Sequence, residues 1–199
     1  MGKEFKKAME DRRSVYAISA ESTISDEQIV GIVENSVQYV PSAFHGQSAR
    51  VAVLFGENHK KLWSIAMETL RKLVPAESFA ATEAKINSFA AGYGTVLYFD
   101  DTAVTDGLAA QFELYKDNFP VWAQQANGML QFAVWSQLEA EGLGASLQHY
   151  NPLIDDEVKQ AFGIPASWKL IAQMPFGKPT AAPDEKQFVP ISERVKILK

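Results

Sequence analysis

Apolar positions along the chain recur with two periods. Ile29, Ile32, Val33, Val37 and Val40 fall on one face of a helix. Ser25 stands at the N-cap position, Gln28 completes a capping box, and Pro41 closes the helix. Residues 49–55 (ARVAVLF) are apolar and rich in β-branched side chains, which predicts a buried strand. Asn58 is expected to cap a helix with Leu62, Ile65, Ala66, Leu70 and Leu73 on one face. Pro75 interrupts it, and residues 77–90 resume as helix. Residues 92–99 (GYGTVLYF) predict a second strand, and 102–118 a helical region with Gly107 as its weak point. Short helices over 3–11 and 155–162 and a strand over 169–174 complete the pattern.

One segment breaks the periodicity. From Asn118 to Leu138 no residue is charged, and Phe119, Trp122, Met129, Phe132 and Trp135 are distributed around the helix. Such a helix is expected to be buried on most sides. A monomer of 199 residues has little room for it, so the pattern predicts a homodimer with this helix at the interface. From Phe176 onward, Pro179, Pro183 and Pro190 make the tail too proline-rich for a core element. It is expected to run over another surface, such as the partner subunit. Helices mixed with scattered strands point to an α+β fold in a single domain spanning 1–199.

Composition narrows the chemistry. A net charge of -5 lacks the basic excess that nucleic-acid binding requires. No cysteine is present, which removes disulfides, thiolate metal sites and cysteine nucleophiles. The N-terminal stretch is polar, and no apolar run is long enough to span a membrane, so a soluble cytoplasmic protein is expected. His45, His59 and His149 lack metal-ligand spacing, and no phosphate loop, dinucleotide fingerprint or nucleophile elbow occurs. Neither a catalytic side chain nor a metal site is predicted. A tight organic cofactor would supply the reactivity instead.

Four segments carry a resemblance. They are DRRSVY at 11–16, PSAFHGQSAR at 41–50, GLGASLQHYNP at 142–152, and FGKP at 176–179 with a later lysine. In that order and spacing the chain resembles the nitroreductase-like FMN oxidoreductase superfamily. FPVW at 119–122 and LQHYNP at 147–152 favour the subgroup related to the fatty-acid-repression-mutant nitroreductases. The resemblance implies a three-layer α+β sandwich, with a central, mostly antiparallel sheet flanked by helices. It also implies an intertwined homodimer with FMN in each of two interface pockets. The implied activity is ping-pong reduction of nitroaromatic or quinone-type acceptors by NAD(P)H through flavin N5. The alternative is an FMN-binding stress- or lipid-response regulatory protein with little turnover. A flavin-free structural dimer is a third reading.

The resemblance assigns roles by position. Arg12, Arg13 and Ser14 match the N-terminal flavin motif, where an arginine fork and a hydroxyl suit a phosphate. Considered alone, two adjacent arginines are more often solvated surface cations. Tyr16 stands where many relatives carry a cation near the flavin ring. Pro41, Ser42, His45 and Gln47 match a loop laid against the ring from the other subunit, with His45 in place of the usual asparagine. Arg50 either reaches the ring or flanks the sheet. Leu143 and Gly144 match the segment beside N5; the bland reading of these glycines is a helix C-cap. Lys186, with Lys178 and Arg194 behind it, would bring a basic group from the tail to the phosphate. Tyr115, Phe119, Trp122 and His149 would shape the acceptor site, with core packing as the plain alternative for the aromatics.

Overall fold

The helix after Ser25 forms by the hydrogen bonds its sequence encodes. Ser25 Oγ accepts the Gln28 N–H at 3.3 Å, and the Gln28 side chain accepts the Ser25 N–H at 3.0 Å. The computed structural model describes residues 3–199. In chain order these form α1 (Phe5–Asp11), β1 (Ile18–Ser19), α2 (Asp26–Tyr39), β2 (Ala49–Phe55), α3 (Gly56–Leu73) and α4 (Phe79–Ala90). Then follow β3 (Gly94–Asp101), α5 (Thr102–Gln111), α6 (Phe119–Ala140), β4 (Gly144–Ala145), α7 (Asp155–Phe162) and β5 (Trp168–Pro179).

The strands make one antiparallel sheet in the order β1-β5-β3-β2, with β4 also paired to β5. Alternation along β3 divides the core. Val96 and Tyr98 face α2 and α6, meeting Ile29, Val33, Leu130, Val134 and Leu138. Leu97 and Phe99 face the opposite layer and meet Leu62, Trp63 and Ala66 of α3, Ile86 and Phe89 of α4, and Val158 of α7. Helices therefore cover both faces of the sheet, which is the expected sandwich.

Several boundaries differ from expectation. The third helix begins at Gly56, directly after the strand, with Phe55 rather than Asn58 as its N-cap. The 102–118 region breaks at Phe112, not Gly107. β5 extends past Met174 to Pro179, and Phe176 within it is fully buried, so the tail starts later than its prolines suggest. Pro179 is the last residue of the strand, and Pro183 and Pro190 lie beyond it. β2 is an edge strand and only half-buried, against the expectation of a buried one. Within the protomer the C-terminal half of α6 is buried or half-buried at every position from 130 to 140, as expected, whereas its N-terminal half has an open side that exposes Val121 and Met129 at 53% and 45%. Among the described residues no helix is long and apolar enough to cross a membrane.

Candidate functional site

The N-terminal motif is annealed to the glycine segment. Val15 N–H donates to the Ala145 carbonyl at 2.9 Å, and Ser14 forms a parallel bridge with Ala145. The glycines that permit this act differently. Gly142 (φ 82°) ends α6: its N–H donates to the Glu139 carbonyl at 2.8 Å, and the Leu143 N–H donates to the Leu138 carbonyl at 2.9 Å. This is the left-handed cap that turns the chain into β4. Gly144 permits close approach: a Cβ there would meet Val15 Cγ1 at 2.9 Å and Pro179 Cγ at 3.1 Å. The result is a cavity of about 540 Å³ walled by Arg13, Val15, Trp135, Leu143, Gly144 and the 179–183 segment.

Charge around this cavity is unevenly partnered. Asp11 accepts from Lys3 and Lys7, and Glu139 accepts from Lys3. Arg13 Nη2 donates to the Asp184 carbonyl, tying the tail to the motif. Among the described residues no carboxylate pairs with Arg12. Its guanidinium lies 4.4 Å from the centroid of the Trp135 ring, and burial first, with the positive charge of Arg13 second, holds it below its ordinary pKa.

The 41–47 loop forms a second cluster. Pro41, Ser42, His45 and Gln47 line a cavity of about 160 Å³ with Val37, Gln38, Arg50, Ala126 and Leu130. Gln47 N–H donates to Ser42 Oγ at 3.0 Å. Phe44, His45 and Gln47 all hold positive φ, at 54°, 54° and 51°. Non-glycine residues seldom adopt this region, and such strain concentrates at functional sites. It turns Phe44 onto an aromatic group: Phe112 at 4.8 Å, Phe119 at 5.3 Å, Tyr115 and Trp122 at 5.9 Å between centroids.

The expected site residues thus divide. Arg12, Arg13, Ser14, Leu143 and Gly144 gather at the C-terminal end of α6. Pro41, Ser42, His45, Gln47, Phe119, Trp122 and Tyr115 gather at its N-terminal half. Trp122 and Trp135, thirteen residues apart on α6, are about 20 Å apart along the axis. Tyr16 is half-exposed near Phe89 and beside Tyr150. Phe119 is buried beneath Phe44 and Trp122, so the half-exposed Phe44 is the aromatic surface there, not Phe119. His149 is exposed and lines neither cavity. Lys178 pairs with Glu21 at 2.9 Å, Lys186 rests over Phe188, and Arg194 is exposed. These basic groups of the tail do not join the arginines within one protomer. Arg50 grips the loop instead of reaching into the larger cavity.

Sequence reasoning missed Phe44 and Trp135 as site residues. Phe44 sits inside the loop motif but carries no polar signal. Trp135 lies two helical turns before Gly142, a spacing that places it over the start of the glycine segment. Among the described residues no cluster of His, Asp or Glu could hold a metal ion.

Comparison with known proteins adds independent findings. A model of the nitroreductase family matches residues 9–178. The chain is 36% identical over 185 residues to a Saccharomyces cerevisiae protein named "Putative nitroreductase HBN1", covering 92% of each. It is 30% identical over 187 residues to the nitroreductase FRM2 of the same yeast, covering 92% of this chain and 91% of that one. Among solved structures it is similar to the nitroreductase CinD from Lactococcus lactis in complex with chloramphenicol. There the TM-score is 0.90 at 39% identity, covering 98% of this chain and 100% of that one. The same protein in complex with 4-nitrophenol gives 0.89 at 40% identity over the same shares.

Proposed function

Because the chain belongs to the nitroreductase family, we propose that it is an FMN-dependent NAD(P)H oxidoreductase reducing nitroaromatic or quinone-type acceptors, and that it works as a homodimer. One observation carries the reading. The backbone bridge between Ser14 and Ala145 lays two arginines and a hydroxyl beside a glycine segment, next to a cavity that Arg13 lines and that is large enough for a flat ligand. The residues fit FMN. Arg12 is a half-buried cation with no carboxylate partner, which suits a phosphate, and Val15, Trp135 and Leu143 supply apolar wall.

Bound FMN would supply the hydride chemistry, accepting from NAD(P)H and delivering to the acceptor. The chain's own residues bind and orient. Arg12 and Ser14 would hold the phosphate end by charge-assisted hydrogen bonds. Gly144, lacking a side chain, leaves the ring approachable. Tyr16 carries no charge where many relatives place a cation, so either Arg13 would supply the positive field on this side or the flavin would be harder to reduce. Donor and acceptor would use the site in turn, a ping-pong order. No side chain acts as an essential acid or base. The CinD complexes, whose ligands both carry a nitrophenyl group, support flat nitroaromatic acceptors. Phe44, Trp122 and Tyr115 offer such a group an aromatic surface.

The distance between the two clusters supports a two-chain site. One flavin cannot touch both ends of α6 in a single protomer, whereas the loop of one copy can meet the arginines of another. Three surfaces await cover. β2 has an open edge. A groove of about 520 Å³ between α2 and β2 is lined by Val30, Val33, Val37, Val51, Val53 and Trp168. The tail exposes Phe188, Ile191, Ile197 and Leu198. We assign the tail of one copy to the groove of the other, which would bring Lys186 or Arg194 to the partner's site.

The test is the absorption spectrum of the purified protein before and after anaerobic NADH or NADPH, followed by 4-nitrophenol. Bound flavin that bleaches with either donor and recovers with the acceptor is expected. Bound flavin that bleaches with neither would favour the regulatory reading, and a colourless protein that takes up no FMN would end both.

A further inference from the structure

We infer that Trp135 is a positioning residue for the flavin phosphate, presenting the Arg12 guanidinium to it; this rests on the reading of the site given above. The geometry has three parts. Arg12 is the C-cap of α1, its N–H donating to the Ala8 carbonyl at 2.9 Å, so its backbone is fixed. Its guanidinium then lies 4.4 Å from the centroid of the Trp135 ring. Arg12 does not itself line the 540 Å³ cavity, but Trp135 does, and the ring connects the two. A cation stacked on an indole face keeps its N–H donors free around the edge, where a phosphate oxygen pair can be gripped.

The neighbouring charges are arranged to leave that edge unclaimed. Asp11, adjacent to Arg12, is taken by Lys3 and Lys7. Glu139, four residues beyond Trp135 and on the same helix face, is taken by Lys3. Its second oxygen is buried without a partner, yet Arg12 does not turn to it. Without the indole, a long flexible arginine would be free to swing toward Glu139 or into water. Held on the indole, Arg12 is opposed first by its own burial and then by the like charge of Arg13, and an anion relieves both. α1 itself is fastened over this part of α6 by the edge-to-face contact of Phe5 with Phe132.

The test separates phosphate positioning from general packing. FMN and riboflavin, which lacks the phosphate, are titrated into the flavin-free full-length protein and its variants. The readout is the ratio of the two affinities. Trp135→Leu removes cavity wall for both flavins but is expected to lower FMN affinity roughly tenfold more than riboflavin affinity, the size of one desolvated cation–π contact. Trp135→Phe, which keeps a weaker aromatic face, is expected to lose two- to threefold in the same ratio. Equal losses for both flavins, or an unchanged ratio in both variants, would overturn the inference. If the leucine variant does not fold, the phenylalanine variant decides alone. Arg12→Ala distinguishes the levels: a collapsed ratio there with an intact one in the Trp135 variants removes only the role of Trp135. An intact ratio in Arg12→Ala removes the phosphate assignment and this inference together.

Discussion

Arg50 and Asp101 join the paired strands β2 and β3 at the foot of the 41–47 loop, Nη2 to Oδ2 at 3.0 Å. The same guanidinium donates through Nη1 to the Gln47 carbonyl at 2.7 Å and to its own neighbour's carbonyl, Ala49, at 3.1 Å. Asp101 Oδ1 is already buried without a partner. Arg50→Ala would leave the carboxylate uncompensated and release the loop. The expected cost is about 1–3 kcal/mol in chemical denaturation, with faster amide exchange at residues 44–47. Arg50→Lys keeps the charge but not the fork, and should fall between. Unchanged exchange in the loop would show that Arg50 does not hold it.

His45 sits at φ 54°, a conformation in which asparagine is at less disadvantage than other side chains. The asparagine usual at this position in the resembling family therefore has a backbone reason. His45→Asn is expected to raise stability by about 0.5–1 kcal/mol. A lowered or unchanged denaturation midpoint would mean that the imidazole compensates the strain through contacts of its own.

A Cβ at residue 144 would press on Val15 and Pro179. Gly144→Ala should force the N-terminal motif away from β4. We expect a loss of about 1–3 kcal/mol by thermal unfolding, together with weaker FMN binding in a titration. Retention of both would separate the glycine from the site.

His59 lies on the buried face of α3, with Nδ1 2.8 Å from Thr95 Oγ1 and Nε2 3.2 Å from the Ala90 carbonyl. Trp63 Nε1 donates to the same Thr95 hydroxyl at 3.0 Å. The hydroxyl can therefore donate to Nδ1, while Nε2–H donates to Ala90, a neutral imidazole. Burial is the largest influence and holds His59 below its ordinary value of 6.5, with the Ala90 carbonyl opposing it. The unfolded chain then binds the proton first. Stability from this group is complete above about pH 6.5 and is lost as pH falls through the lowered native pKa. Denaturation at a series of pH values should show the decline, and His59→Gln should flatten it.

Removal of residues 184–199 takes away Phe188, Val189, Ile191, Val195, Ile197 and Leu198, all exposed in one protomer. Sedimentation should show the full chain as a dimer and the shortened chain shifted to monomer. A shortened chain that still sediments as a dimer would free the tail from this role.

Much of the architecture could be read from local signals. The capping box at Ser25, the strand Ala49–Phe55 and the helix Asp155–Phe162 depend on nearby residues, and local patterns find them. β1 and β4, two residues each, exist only because β5 supplies partners far away in sequence. The loop motif named Ser42 and Gln47, which do meet each other. It could not disclose the positive φ of three residues that have side chains. Nor could it disclose that Phe119, an aromatic beside a polar loop, would be covered by Phe44. The stacking of Arg12 on Trp135 brings together groups 123 positions apart, for which no short motif exists.

α6 acts as a ruler between the two clusters. Each residue adds about 1.5 Å and turns the helix by about 100°. Deleting one residue between Trp122 and Trp135 would shorten the span only slightly, but it would swing the indole around the axis and away from Arg12.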